Sequence, residues 1–366
     1  INEGHASETS TSPTVHDTYL AVEGPCAMDI LDLCRKRWVS AASVQASDIS
    51  LHRAAVPSEA VAEDLTPRTS ELVTQHQEPL TLSSGRCSRS RYPGNQITSS
   101  TTGSLEATGL VAQVVSTVMP GVISCDQKLS NRGEASVLEA YLKAIDAAER
   151  SIFIENQHLF HDQILDSLRR ACERGVEVLC LVPGSPMAAV VQEKAQSDKY
   201  SANPSHMQRP RYHEELTQLA DMGKFPNFNL AVLLAPRATA EGPALRSIYI
   251  HSKVAIIDGV WVTAGSTNIV DLSLDRDHTE VNVVCWSEAL AMQLLATLCN
   301  IHSGGLVDTA EGDVRMVQAL SHLARANGHL WENGVLDFKG YPVSVPPGAY
   351  ASHDYLLQLR KQNQSS

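Results

Sequence analysis

The chain has 366 residues, enough for two or three domains with a sizeable core. Its formal net charge of −12 speaks against a nucleic-acid binder, and its short basic clusters, Arg35-Lys36-Arg37 and Arg86, Arg89, Arg91, read more cheaply as a solvated helix face and a loop. No apolar run approaches the ~18 residues of a membrane span, and the eight cysteines form no C-x-x-C pair; Cys172, Cys180 and Cys299 lie in apolar patterns and read as buried thiols of a reducing compartment.

In chain order, residues 1–15 are polar. Tyr19–Glu23 is a predicted strand, and Gly24-Pro25 opens a helix with Met28, Leu31, Cys34 and Trp38 on one stripe. Residues 40–108 are rich in Ser, Thr, Pro, Gly and Arg and largely without periodicity, as a linker or insertion would be. Leu110–Met119 is a strand. Glu134–Arg150 is an amphipathic helix with Val137, Leu138, Tyr141, Leu142, Ile145 and Ala148 on one face. A strand Ser151–Glu155, a helix His161–Arg174 closed by Gly175, and a strand Val176–Val182 follow. This alternation argues for an α/β layer fold. Glu155, Asn156 and Gln157 end their strand where α/β proteins place ligands, or they cap the next loop. His158 and His161 have a metal-ligand spacing without a clear third ligand, so a surface role is expected for them.

Met187–Met222 reads as mostly helical, broken near Ala202-Asn203-Pro204. Its Met187, Met207, Tyr212 and Met222 are candidates for lipid contact or for core. Phe228–Leu234 is a strand that leads through a small-residue loop to Tyr249–Asn268, YIHSKVAIIDGVWVTAGSTN. Here His251 and Lys253 share a strand face by the two-residue period. Asp258-Gly259 signals a two-residue hairpin. Gly265, Ser266 and Asn268 close the return strand. Histidine can attack phosphorus or protonate a leaving oxygen, while lysine and neutral donors hold the non-bridging oxygens, so the set suits phosphodiester chemistry. Glu280 opens a strand Val281–Cys285. Ser287 caps a helix through Ile301 that ends at Gly304-Gly305, and Asp313–Asn327 is a last helix before a Gly/Pro-rich tail.

The spacing H-x-K-x4-D followed by G-S-x-N resembles the mark of the phospholipase D superfamily. Ser151–Gln157 (SIFIENQ), Asp277–Val283 (DHTEVNV) and His16–Pro25 (HDTYLAVEGP) resemble its other segments, so the likeness covers most of residues 13–305. The resemblance implies a mixed β-sheet flanked by helices, built from two pseudo-two-fold halves with one motif each. Of fourteen histidines only His251 has a lysine two places on. The first motif is therefore expected upstream of Ile1. Residues 1–39 would be a remnant of the first half, 40–108 a linker, 109–308 the second half, and 309–366 a C-terminal helix and tail.

The resemblance further implies a phosphodiesterase that hydrolyses phospholipid head groups at a membrane surface through a phosphohistidine intermediate, with no cofactor or metal. The expected location is cytoplasmic or peripheral to a membrane. His251 would be the general acid, supported by Lys253, Ser266 and Asn268, with Asn156 and Gln157 lining the site. Asp258 belongs to the motif but suits a structural role in its hairpin. Glu280, with Asp277 in reserve, would orient His251. Asp17 would be the orienting remnant of the first half, or a strand-edge carboxylate. The rivals are an inactive binding protein, a phosphatidyl transferase, and a nuclease that works as a dimer.

Overall fold

The computed structural model describes residues 14–22, 24–48, 80–84, 104–107, 110–184, 211–239 and 242–350. It is a mixed α/β fold around one large sheet. The sheet runs in the order β1 (Thr14–His16), β11 (Gly242–Ile250), β10 (Phe228–Thr239), β9 (Glu177–Leu181), β7 (Ser151–Asn156), β12 (Lys253–Ile257), β13 (Trp261–Gly265), β15 (Glu280–Trp286), β5 (Val111–Val118), β6 (Glu134–Ala135). β16 (Pro342–Ser344) adds to β10. β7 pairs parallel with β9 and antiparallel with β12, so the sheet changes direction beside the motif strand.

The central strands are continuous apolar runs because both sheet faces are covered. Ile152 and Ile154, Val178 and Cys180, Leu230 and Val232, Ala255 and Ile257 point to one face. There they meet α3 (Ser136–Ala147) and α4 (Asp162–Glu173). The intervening Phe153, Leu179, Leu181, Ala231, Leu233, Val254 and Ile256 point to the other face. They meet α7 (Glu288–Ser303) and α8 (Asp313–Glu332). The predicted stops of α7 are present: the Ser287 hydroxyl accepts the Leu290 N–H, and Gly304 sits at φ 66°. Cys172, Cys180 and Cys299 are buried free thiols. Among the described residues no helix is long and apolar enough to cross a membrane.

Several expectations need correction. The stretch before the motif is no small-residue loop, because β10 extends to Thr239 and β11 pairs with it antiparallel over seven residues. His251 and Lys253 do not share one strand. β11 ends at Ile250 and β12 begins at Lys253, on different sides of β7, and the chain crosses between them at His251-Ser252. Within the expected linker, β3 (Leu80–Ser84) and β4 (Ser104–Ala107) form a small antiparallel sheet with β2 (Thr18–Ala21). The helix after Gly24 is α1 (Pro25–Asp48), which passes through the expected boundary at 39/40. Its stripe faces water: Leu31, Cys34 and Trp38 are exposed, and the neighbouring Ile30 packs inward instead. His158 and His161 are buried, against the expected surface role. Met222 belongs to the core, while Met187 and Met207 lie outside the described residues.

The Asp258 turn also differs in detail. Asp258 and Gly259 both have positive φ, 52° and 59°, as the tight hairpin turn requires. Pairing nevertheless resumes at Ile257↔Trp261, leaving Val260 as an extra, exposed residue. The Asp258 carboxylate does not bond across its own hairpin. It accepts the backbone N–H groups of Glu149, Arg150 and Ser151, at 2.9, 2.8 and 2.9 Å, and so fixes the corner where α3 turns into β7. Three donors lose their acceptor together in Asp258→Ala, and the alanine must also hold a positive φ. The expected loss is about 1–3 kcal/mol of stability in denaturant unfolding. The environment of His251, followed by its ring NMR signals, should stay as in the wild type.

Candidate active site

The crossover residue His251 is held from below by the N-terminal segment. β1 lies parallel to the end of β11, with Thr14, Val15 and His16 opposite Ile248, Tyr249 and Ile250. The ladder continues one step further, the His251 N–H donating to the His16 carbonyl at 2.8 Å. That register brings the next side chain, Asp17, to the imidazole. Its Oδ2 is 2.8 Å from His251 Nδ1, and its Oδ1 accepts the Thr18 N–H at 2.9 Å. Burial alone would raise the Asp17 carboxyl, but the His251 bond and the charges of His251 and Lys253 outweigh it and hold the pKa below its usual value. His251 itself remains half-exposed, so its other ring nitrogen is free to meet a ligand.

Lys253 is the first residue of β12 and is almost fully buried. Its Nζ donates to Gln157 Oε1 at 3.2 Å and to the His251 carbonyl. Gln157 in turn donates to the Tyr249 hydroxyl at 2.6 Å. Burial lowers the Lys253 pKa to about 8, although Asp17 and Glu280 pull the other way. His251, Lys253, Gln157, Ser266, Asn268 and Asp17 line one cleft of about 480 Å³, closed on its apolar side by Leu20, Val22 and Ile30.

The loop that carries Ser266 and Asn268 is set by close backbone approach and by two buried amides. A Cβ on Gly265 would lie 2.3 Å from the Val281 carbonyl oxygen, so only glycine lets β13 end this near β15. Asn156 is fully buried and turned away from the cleft. Its Oδ1 accepts the N–H groups of His158 and Ile269 at 3.1 and 3.0 Å, and its Nδ2 donates to the Thr267 carbonyl at 3.3 Å. Asn282, which the sequence reading passed over, accepts the Thr267 N–H at 3.1 Å. Asn268 Oδ1 is buried with no hydrogen-bond partner among the described residues, and so is open to a donor on a ligand or to water.

Two of the expected roles change hands. The carboxylate against His251 is Asp17, and Glu280 stands elsewhere: it accepts the Ser266 hydroxyl at 2.5 Å and lies 3.4 Å from His278 Nδ1. Asp277 is exposed and has no described contact with His251. Asp258 is at the far end of β12, roughly 16 Å from Lys253 by strand rise, and takes no part in the cleft. Asn156 supports the loop and is not a lining residue. His251, Lys253, Gln157, Ser266 and Asn268 line the same cleft. Besides Asn282, the sequence reading missed Tyr249 and the buried His302. The available signal for Asn282 was a lone amide in the apolar run VNVVC.

An ammonium beside an imidazole backed by a carboxylate can hold an anion and move a proton at one place. Residues 141–301 match the family model described as cardiolipin synthase, PLD-like domain. This segment is thus similar to the phospholipase D-like domains. Among curated relatives, the major cardiolipin synthase ClsA of Bacillus subtilis is 26% identical over 162 residues, which is 44% of this chain and 27% of the relative. Cardiolipin synthase B of Escherichia coli K12 is 26% identical over 145 residues, 39% of this chain and 27% of the relative. The chain thus spans about a quarter of the length of these relatives. Of solved structures, the phospholipase D family member Nuc of Salmonella typhimurium aligns with a TM-score of 0.31 at 20% identity, over 51% of this chain and 91% of Nuc. The phosphatidylserine synthase of Haemophilus influenzae aligns with a TM-score of 0.31 at 8% identity, over 52% and 38%.

The lowered Lys253 pKa sets a pH dependence. The ammonium is present below about 8 and is lost above it, so an anion in the cleft should bind more weakly as pH rises through that value. Sulfate is a suitable probe because its own charge is constant there. Calorimetric titration should show affinity falling across this range in the wild type and no step in Lys253→Met. A flat profile in the wild type would contradict the assignment of Lys253 as the anion-holding cation.

Proposed function

We propose that this chain carries the histidine-and-lysine half of a phospholipase D-type site and that the complete protein transfers the phosphatidyl group of a phospholipid. The observation that carries the reading is the His251–Asp17 pair beside the buried ammonium of Lys253. In this reading His251 is protonated at both ring nitrogens before the reaction. Asp17 accepts the Nδ1 proton and stabilises the imidazolium. The other proton passes to the leaving alcohol as a nucleophilic imidazole, supplied by the first motif of the complete protein, bonds to phosphorus. His251 is then neutral, with a lone pair facing the cleft. It takes a proton from the incoming alcohol or water, whose oxygen bonds to phosphorus and displaces the nucleophilic histidine as the P–N bond breaks. Lys253 and the side-chain N–H of Asn268 hold the phosphoryl group through both steps. The Ser266 hydroxyl is tied to Glu280, so its expected direct hold on the phosphoryl group requires that bond to open.

The acceptor is the finer question. The curated relatives are named as synthases, which favours an alcohol over water and moves the reading from hydrolysis toward transfer. Hydrolysis of the same intermediate is the second reading, since the half-exposed His251 is open to solvent.

In a form that contains both motifs, His251→Ala should lower turnover by about 10²- to 10⁴-fold. A loss of only a few-fold would remove His251 from the mechanism. Product analysis with and without added glycerol separates the acceptors: a phosphatidyl-alcohol product supports transfer, and free phosphatidic acid in both conditions supports hydrolysis. Residues 1–366 alone supply one His-x-Lys, and little turnover is expected of them on phosphatidylcholine or a chromogenic phosphodiester. Robust turnover that disappears in His251→Ala would point instead to a dimer that pairs two copies of His251.

A further inference from the structure

Beneath the cleft lies a cluster of three titratable side chains that none of the roles above uses. Glu155, on β7, is completely buried, as are His302, on α7, and His16, on β1, at 0%, 0% and 1% exposure. The carboxylate is shared: Oε2 is 2.9 Å from His16 Nε2, and Oε1 bonds His302 Nε2. The two rings meet edge to face, with centroids 4.9 Å apart. Burial disfavours the charged carboxylate, yet the two imidazoles override this and drive its pKa well down, so Glu155 stays ionised.

Two histidines and a carboxylate are also the donor set of a metal site, but the outer nitrogens argue against one. Among the described residues, His16 Nδ1 and His302 Nδ1 are buried without a hydrogen-bond partner. A metal on both Nε2 atoms would leave two buried N–H donors with no acceptor, where ligating histidines normally have one. With Nε2–H donating to Glu155, the outer nitrogens are bare lone pairs, a smaller cost than orphaned donors.

The cluster's place in the fold gives it a consequence for the active site. β1 pairs with β11 over only three residues. In that segment the His16 side chain is fully buried, and His16 precedes Asp17 directly. The His16 carbonyl receives the His251 N–H. We propose that Glu155, clamped between His16 and His302, is a positioning residue that docks the β1 segment and so holds Asp17 against His251. The inference rests on the phospholipase D-type reading for its catalytic meaning, but the coupling itself is a property of residues 1–366. Glu155 touches no substrate. Its effect reaches the site along His16 and one peptide unit.

The test reads the tautomer of His251 and needs no turnover. Two-bond proton–nitrogen NMR on the neutral ring reports which nitrogen carries the proton. In the wild type this should be mainly Nδ1, bonded to Asp17, and in Asp17→Asn it should revert toward the Nε2–H form of a free imidazole. Glu155→Gln should move it the same way while near-ultraviolet circular dichroism shows a folded chain. His16→Gln keeps an N–H donor for Glu155 and should retain the Nδ1–H form, whereas His16→Leu should lose it. Should Glu155→Gln prove unfolded, the contrast between the two His16 variants decides. A wild-type-like tautomer in Glu155→Gln or in His16→Leu overturns the proposal. So does zinc that copurifies in stoichiometric amount and whose removal changes the His16 and His302 ring signals. If the tautomer responds as expected but the complete protein does not need His251 for turnover, the coupling stands and the functional reading falls.

Discussion

His251 and Asp17 are 234 positions apart in the chain and 2.8 Å apart in the fold. Their contact depends on a three-residue parallel ladder, the pairing of Thr14–His16 with the last residues of β11. Parallel pairing needs a long connection between its strands, and here most of the described chain serves as that connection. The ladder covers only the last three residues of β11 on its outer side. One short segment therefore forms this end of the sheet and delivers the carboxylate that meets the imidazole. A histidine at a strand-to-strand crossover has no regular structure of its own to orient it, so the orientation comes from the neighbouring segment.

Legibility in the sequence follows from how local the cause of each element is. β7, β12, β13 and α7 were readable because their apolar period, turn residues and caps lie within the element itself. β11 was not, since Gly-Pro-Ala at its start carries no apolar alternation, and what makes it a strand is main-chain pairing with β10. The same limit applies to β3 and β4, which lie in a polar stretch and are strands through their pairing with each other and with β2, some sixty residues before β3. The motif spacing gave the identities of the acids but not their facing. Asp17 and Glu280 are each one residue of a polar-to-apolar strand boundary, and which of them meets His251 is settled only when β1 lies beside β11. The choice fell to Asp17 for that topological reason.

The polar residues that turned out to be structural share a physical pattern. Asp258, Asn156 and Asn282 each satisfy backbone groups at a place where the chain leaves the sheet. Such groups would be costly if left unpaired in the interior. A carboxylate or amide with two or more acceptor sites is the economical solution at a sharp corner. For this reason the motif's aspartate and the asparagine of I-E-N-Q carry no chemistry in the cleft although they stand within chemical motifs. They fix the loop and the corner from which Lys253 and Asn268 project. Buried polar networks that are fully bonded specify one arrangement, since any displacement leaves a group unsatisfied.

The charges in the cleft explain why the site waits for its ligand. Asp17 and Glu280 are two carboxylates around one ammonium, and Lys253 has already lost most of its hydration. With His251 neutral the four groups sum to −1, and with His251 protonated they sum to zero. A phosphodiester brings one further negative charge. A unit charge ~5 Å away at an effective dielectric of ~20 acts with about 3 kcal/mol, comparable to two units of pKa. In the proposed reading the arriving phosphate therefore raises the proton affinity of Lys253, the cation that would hold it. Lys253 has one N–H beyond those given to Gln157 and the His251 carbonyl, and it is the donor that the phosphoryl oxygen would take. Anion binding itself thus secures the charge of the group that would hold it. A more basic pocket would bind the anion more tightly in the ground state but would lower the proton affinity of the same amine and weaken its charged form.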